Sequence, residues 1–269
     1  MILDLTKGFG DYENYKLFKF PDESIKFILK TDEIIETVVT RFKNNDDLIS
    51  LLFVSDVIQR VQKEKPILYI SYMMYQQDDR LFDKKESYGL KTISNLVNQL
   101  FFSNIIIFHP HSDKVEFINN VEIKDNFYFI YETLAIIFKD LNVFPTWVIP
   151  DSGAYKTQIK QIDKLNINNY IVCAKSRDKL TGELTQSINT EDLQGEPCII
   201  FDDICLGGRT FIGIAKELKK KNAGKLYLAV SHGIFNQGIE HLLEYFDYIF
   251  TTDSHCDIKN EKLIILKNI

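Results

Sequence analysis

The chain has 269 residues, enough for one large or two medium domains and for a substantial core. Hydrophobic residues make up 45% and charged residues 26%, ordinary values for a globular protein. The 38 acidic against 32 basic side chains leave a net charge of −6, which argues against a nucleic-acid or anionic-membrane binder, since those are usually basic.

In chain order, the apolar run over 67–72 follows Pro66 and reads as a buried strand. Over 88–101 the spacing of Leu90, Ile93, Leu96, Val97 and Leu100 predicts a helix. A strand is expected over 105–108 and a helix over 127–138. A strand over 147–149 ends at Pro150-Asp151, and two more are expected over 170–174 and 199–201. The span 211–221 reads as a helix whose basic end suits its dipole, followed by strands over 226–230 and 248–250. The polar stretch 177–191, with Thr181-Gly182, reads as a long mobile loop of the kind that carries function.

Strands alternating with helices predict an α/β fold of mainly parallel sheets flanked by helices. Such sheets bind ligands beyond the carboxyl ends of their strands. Functional residues are therefore expected after Ile70, Phe108, Ile149, Ala174 and Phe201. No Pro/Gly/Ser-rich linker marks a boundary; the best place for one is 140–146, which predicts domains over 1–142 and 143–269.

The most informative stretch is Cys198-Ile199-Ile200-Phe201-Asp202-Asp203-Ile204-Cys205-Leu206-Gly207-Gly208-Arg209-Thr210-Phe211. An apolar strand ends in two carboxylates, then a glycine pair and a threonine lead into a helix. Backbone N–H groups at such a turn, with the helix dipole behind them, bind anions. The paired carboxylates suit sugar hydroxyls or a metal. The plainer alternative is an ordinary strand–turn–helix joint with an acidic turn.

Cys173, Cys198, Cys205 and Cys256 contain no Cys-x-x-Cys pair, so neither a structural zinc site nor a disulfide framework is expected. No apolar run nears the roughly 18 residues needed to span a bilayer. The start Met1-Ile2-Leu3-Asp4 lacks a signal-peptide pattern. A reducing cytoplasm is the expected setting.

Seven segments, in order, resemble motifs of the ribose-phosphate pyrophosphokinases (phosphoribosyl pyrophosphate synthetases) over nearly the whole chain. Phe20-Pro21-Asp22-Glu23-Ser24 is similar to the family's Phe-Ser-Asp-Gly-Glu. Tyr72-Met73-Met74-Tyr75-Gln76-Gln77-Asp78-Asp79-Arg80 is similar to its nucleotide loop, Tyr-x-x-Tyr-Ala-Arg-Gln-Asp-Arg. His109-Pro110-His111-Ser112 matches Asp-Leu-His-Ser, and Pro150-Asp151-Ser152-Gly153-Ala154-Tyr155-Lys156 matches Pro-Asp-x-Gly-Gly-x-Lys/Arg. Lys175-Ser176-Arg177 resembles the Lys-x-Arg catalytic loop, the Asp202-Asp203 turn the ribose-phosphate loop, and Ser231-His232-Gly233-Ile234-Phe235 the Thr-His-Gly/Pro-Ile-Phe segment.

The resemblance implies two similar phosphoribosyltransferase-like domains, the first with ATP-binding segments and the second with the catalytic loop and ribose-phosphate turn. It implies transfer of the β,γ-pyrophosphoryl group of ATP to the anomeric hydroxyl of a ribose 5-phosphoryl acceptor, with release of AMP and help from Mg2+. Lys175 and Arg177 are the implied catalytic cations; alternate residues of an extended segment can face one phosphate chain. Phe20, Asp22, Gln77, Asp78, Arg80 and His111 are the implied ATP-binding residues. His111 and Asp151 are implied metal ligands, although magnesium prefers oxygen, and Asp151 also reads as a helix N-cap before Gly153. Asp202, Asp203, Gly207, Gly208, Arg209 and Thr210 would hold the acceptor's ribose and phosphate. His109 stands where the family has Asp; with His111 it could suggest a transition-metal site, the plainer reading being an ordinary core or rim histidine. His232 and Phe235 read as structural, and His241 and His255 have no partner that the sequence names. The Phe20 segment of that family reaches a neighbour's nucleotide site, which implies a homo-oligomer, at least a dimer.

The chain also departs from the pattern. Gln77 and Asp78 replace Arg and Gln, and Phe20 comes earlier than in typical members. Leu206-Gly207-Gly208-Arg209-Thr210 replaces Asp-Thr-x-Gly-Thr, losing a carboxylate and a hydroxyl and gaining a guanidinium that can grip phosphate bidentately. A roomier, more positive turn suits a diphosphate. It matches a phage-type subgroup whose acceptor is ADP-ribose and whose product a nicotinamide transferase converts to NAD. ADP-ribose is the favoured acceptor and ribose 5-phosphate the alternative. A phosphoribosyltransferase and a non-catalytic regulatory homologue are the competing classes; Lys175, Arg177, His111 and Asp151 argue against the latter.

Overall fold

The structure, a computed structural model, describes the chain except residues 178–183, 189, 191 and 269, and describes no side chains for 175–177 and 184–186. It divides into two units, Met1–Asp125 and Asn126–Ile269.

The first unit holds a parallel five-stranded sheet and a small antiparallel one. Its strands are β1 (Ile2–Asp4), β2 (Gly10–Asp11), β3 (Tyr15–Lys19), β4 (Ile25–Leu29), β5 (Thr37–Thr40), β6 (Ile67–Ile70), β7 (Asn104–Phe108) and β8 (Val121–Lys124). The parallel sheet runs β1-β5-β6-β7-β8, and β2-β3-β4 form the antiparallel sheet. Helices α1 (Asn45–Val61) and α2 (Gly89–Val97) complete the unit with a short 3₁₀ turn, Asp113–Phe117. In β3 and β4 the burial alternates, so Tyr15, Leu17, Ile25 and Phe27 enter the core with Val38, Leu68 and Ile107 of the parallel sheet.

Sequence periodicity points to no element before residue 67, yet five strands and a helix precede it. The strands are only two to five residues long. Helix α1 buries Ser50 and Ser55 with Leu51, Val54 and Ile58, which blurs its apolar stripe. Its start is nonetheless encoded: Asn44 and Asp47 form a reciprocal capping box. The predicted helix over 88–101 ends early, at Val97, where Gln99 and Leu100 donate to carbonyls three residues back (3.1 Å each), and the side chain of Asn98 bonds the Phe117 carbonyl (2.9 Å) and the Asn119 amide (2.7 Å).

The second unit contains α3 (Phe127–Leu141), β9 (Thr146–Ile149), α4 (Ser152–Lys164), β10 (Tyr170–Arg177), β11 (Leu184–Ile188), β12 (Cys198–Cys205), α5 (Arg209–Lys220), β13 (Leu226–Gly233), α6 (Glu240–Leu243), β14 (Tyr248–Thr252) and β15 (Leu263–Leu266). The sheet order is β11-β10-β9-β12-β13-β14-β15, parallel except for β10 with β11. Both faces are covered. Val148, Ile200, Leu228 and Ile249 pack with Phe211, Ile214 and Leu218 of α5. Trp147, Ile149, Ile199, Phe201 and Phe250 pack with Phe129, Ile130, Leu134 and Ile137 of α3 and Ile162 of α4. That two-sided burial is why these strands read as continuous apolar runs.

Two expectations are corrected here. The division falls after Asp125 rather than after residue 142, because α3 commits its apolar face to the second unit's core. The stretch 177–191 is not wholly a loop: β11 pairs antiparallel with β10, Lys175 opposite Gln186, while residues 178–183 lie outside the described ones.

Candidate active site

In the second unit the strand order reverses at β9, which has β10 on one side and β12 on the other. Such a switch point opens a crevice at the carboxyl ends of the two strands. The ladder from β12 to β9 stops at Ile200 opposite Val148, whereas that to β13 continues to Cys205 opposite Gly233. Asp202 and Asp203 therefore lie inside the extended strand β12, not in the turn after it. Beyond the last β9 pairing, the Phe201 carbonyl accepts from Gln158 Nε2 (2.7 Å), and Gln158 Oε1 accepts from the Trp147 indole (2.7 Å). This buried amide replaces the missing ladder bonds and carries no sequence signature beyond a glutamine in a helix.

Three carboxylates meet near this crevice. Asp151 caps α4: its Oδ1 accepts from Gly153 (2.9 Å) and Ala154 (3.0 Å). The N-cap reading of Asp151 thus holds, and its Oδ2 makes no hydrogen bond to a described residue. Asp202 is half-buried as a residue, but its carboxyl is enclosed; desolvation pushes its pKa well above the usual carboxylate range, and the like charges of Asp203 and Asp151 add to this.

The turn after β12 is held from behind. Ile234 (3.0 Å) and Phe235 (3.1 Å) donate to the Cys205 carbonyl, and Asn236 (3.2 Å) to that of Leu206. Phe235 takes φ 45° to do so, uncommon for a bulky side chain. Gly208 adopts φ 72°, and a Cβ there would lie 2.4 Å from Leu242 Cδ2, so this position requires glycine. Gly207 is not so constrained: a Cβ would meet Asn236 and Gln237 at an ordinary 3.5 Å. Helix α5 starts without a side-chain cap. None of the backbone N–H groups of Gly207, Gly208, Arg209 and Thr210 has an acceptor among the described residues. The Thr210 hydroxyl and the exposed Arg209 guanidinium likewise have no partner among the described residues. Four donating amides, a hydroxyl and a guanidinium face no acceptor among the described residues, the donor set an anion needs.

His232 is fully buried, with Nδ1 2.8 Å from Ser254 Oγ, and supports the strand ends as expected. Lys175 and Arg177 lie at the end of β10, beside β9, but their side chains are outside the described residues.

In the first unit the nucleotide-loop residues follow β6 and the histidines follow β7, neighbouring strands of one parallel sheet. The two loops are joined. Gln76, almost wholly buried, accepts from the His111 amide through Oε1 (2.6 Å) and donates through Nε2 to the Met73 carbonyl (2.5 Å). Asp79 accepts from Ser112 Oγ (2.8 Å). Tyr75 (φ 61°) and His109 (φ 36°) hold strained left-handed backbones in these loops, and such outliers collect at functional sites. Gln77, Arg80 and His111 are exposed. Asp78 is engaged otherwise: its Oδ2 accepts from the Gly89 amide (2.7 Å) at the start of α2, an anchoring role its place in the motif did not disclose. Phe20 and Asp22 lie in the β3–β4 turn, where Phe20 is 45% exposed and Asp22 Oδ1 accepts from Ser24 Oγ (2.6 Å). The exposed Asp22 carboxyl is held below the usual range by that bond.

No group of three or more His, Cys, Asp or Glu among the described residues is arranged to hold a metal on its own. Magnesium is a different case, because it keeps waters and uses one or two carboxylates with substrate phosphates. Asp151, with one oxygen fixed by helix capping and the other unengaged, fits that donor set. The four cysteines are buried, and burial pushes the thiols of Cys173, Cys198 and Cys205 up to about 12. No helix among the described residues is long and apolar enough to cross a membrane.

No family model matches the chain. It is 26% identical over 250 residues to a ribose-phosphate pyrophosphokinase of Pyrococcus furiosus, covering 90% of this chain and 86% of that one. It is 23% identical over 239 residues to a protein of the same name from Saccharolobus solfataricus, covering 88% and 79%. Its fold is similar to the crystal structure of phosphoribosylpyrophosphate synthetase from Mycobacterium smegmatis, with a TM-score of 0.78 at 18% identity over 94% of this chain and 85% of that one.

Proposed function

From its place among the ribose-phosphate pyrophosphokinases, to which this chain belongs as an enzyme, we propose that it transfers the β,γ-pyrophosphoryl group of ATP to the anomeric hydroxyl of a 5-phosphorylated ribose. The hydroxyl oxygen bonds to the β-phosphorus and gives up its proton, the bond from that phosphorus to the α,β-bridging oxygen breaks, and AMP leaves with that oxygen. One observation carries this reading: the uncapped turn at Gly207, Gly208, Arg209 and Thr210 follows β12, which carries the Asp202–Asp203 pair beside a switch point. The amides and the Thr210 hydroxyl bind the 5-phosphate, and the two carboxylates bind the ribose hydroxyls. Lys175 and Arg177 on β10 stabilise charge on the transferred group. Phe20, Asp22, Gln77, Arg80 and His111 bind ATP. Asp151 of the second unit and His111 of the first are each candidate ligands for Mg2+, which would supply charge neutralisation on the triphosphate. The chain works as at least a dimer, with the Phe20 turn serving a partner's nucleotide.

We further propose that the acceptor is ADP-ribose, whose product a nicotinamide transferase would consume in NAD resynthesis. The support is Arg209: it is exposed and has no partner among the described residues at the first position of α5, where the helix dipole disfavours a cation, so an added anionic group is its natural partner. Ribose 5-phosphate is the second reading, favoured by the names of the relatives.

The test is AMP release from ATP and Mg2+ with each acceptor offered separately. Release with ADP-ribose alone is the expected result. Release with ribose 5-phosphate alone would leave the reaction class standing and reject the acceptor, and release with neither would reject the reaction class.

A further inference from the structure

His241 occupies α6, 34 residues from Gly207 in sequence, yet its Nε2 lies 3.0 Å from the Gly207 carbonyl oxygen. A carbonyl oxygen can only accept, so Nε2 carries the proton and donates. We propose that His241 is the positioning residue of the phosphate turn, an inference that rests on the reading of that turn as the acceptor's phosphate site.

The argument is one of peptide geometry. In a trans peptide the C=O of one residue and the N–H of the next point in opposite directions. All peptide bonds described here are trans. Holding the Gly207 carbonyl toward α6 therefore turns the Gly208 amide away from α6, where it has no acceptor among the described residues. Glycine at 207 and 208 leaves this plane unusually free to rotate, since neither side chain resists it. Something else must fix it. Leu242, the residue after His241, packs against Gly208 so closely that no Cβ would fit, and buries completely in doing so. Adjacent residues of α6 thus clamp the two glycines, one by a hydrogen bond and one by contact. His241 never touches the acceptor; it sets the direction of an amide that does.

The experiment compares wild type, His241→Ala and His241→Gln. The glutamine amide places an N–H near the site of Nε2 and is the conservative donor. Removing one hydrogen bond of this kind corresponds to a roughly three- to tenfold loss. His241→Ala is expected to raise the KM for the acceptor by about that factor while the KM for ATP stays within about twofold, and His241→Gln is expected to recover most of the loss. Calorimetric titration of ADP-ribose and of ribose 5-phosphate, which needs no turnover, should show the same ordering in Kd. An unchanged acceptor KM and Kd in His241→Ala would overturn the proposal. So would equal losses for ATP and acceptor, or no recovery with glutamine, since both mark a general structural role. Failure of wild type to release AMP while it still binds acceptor would reject the reaction but leave His241 decided by the titration. Failure of wild type to bind either acceptor would overturn both.

Discussion

Arg209 stands at the positive end of a helix dipole without an ion-pair partner among the described residues, an arrangement that costs free energy until an anion arrives. If it grips a second phosphate, Arg209→Ala removes a charge-assisted bond worth about 1.5–3 kcal/mol, or roughly ten- to hundredfold. The expected outcome is a loss of that size in kcat/KM with ADP-ribose and less than about threefold with ribose 5-phosphate. Equal losses with both acceptors would show that Arg209 touches only the shared 5-phosphate. At the same scale, several residues of the nucleotide motif turn out to brace it. Gln76 and Asp79 join the two loops, and Asp78 anchors α2. A motif marks where such residues are, but the hydrogen bonds of Gln76 and Asp79 depend on loops separated by more than thirty residues (Gln76 and His111 are 35 apart), which no local pattern records.

The β3–β4 hairpin presents Phe20 and Asp22 in an exposed turn, with Phe18 edge-on to Phe20 at 5.2 Å. Two antiparallel strands with their inner residues in the core make a firm support for a side chain used elsewhere. If the turn serves a second copy, Phe20→Ala and Lys175→Ala damage different chains of one site. Co-expressed as differently tagged chains, two inactive variants should then regain activity. Random dimers are half mixed and each mixed dimer has one intact site of two, giving about a quarter of wild-type activity. No recovery, with mixed dimers isolated through both tags, would place Phe20 in its own chain's site or outside any site. Strand β11, by contrast, was hidden within a polar stretch: its pairing with β10 satisfies backbone groups that polarity alone would assign to water.

At the scale of the molecule, Asp202 makes stability depend on pH. Its pKa is raised in the native state, so the folded chain holds this proton more firmly than the unfolded one. Its contribution is therefore most favourable in acid and declines as pH rises from the ordinary aspartate range through the raised value. Asp202→Asn should raise Tm in metal-free buffer at about pH 8 and give little gain at about pH 3, below the ordinary aspartate value, where the carboxyl is mostly protonated in both states, while acceptor turnover collapses. An equal Tm gain at both pH values would show that repulsion at this carboxyl is not the cause. Stability given up for a charged crevice is common at functional sites.

Many of the strands and helices after residue 67, the resemblance to one enzyme family and the glycine turn that ends β12 were legible in the amino-acid sequence, whereas β8, α4, β11, α6 and β15 were not. Apolar periodicity, glycines and carboxylates act over a few residues and leave local signatures. Folding alone decided the switch point between β9 and β12, the assignment of α3 to the second unit, the two-sided demand for glycine at 208 and the pairing of His241 with Gly207. Each depends on groups brought together from distant positions, and their chemistry becomes visible only when the chain is packed.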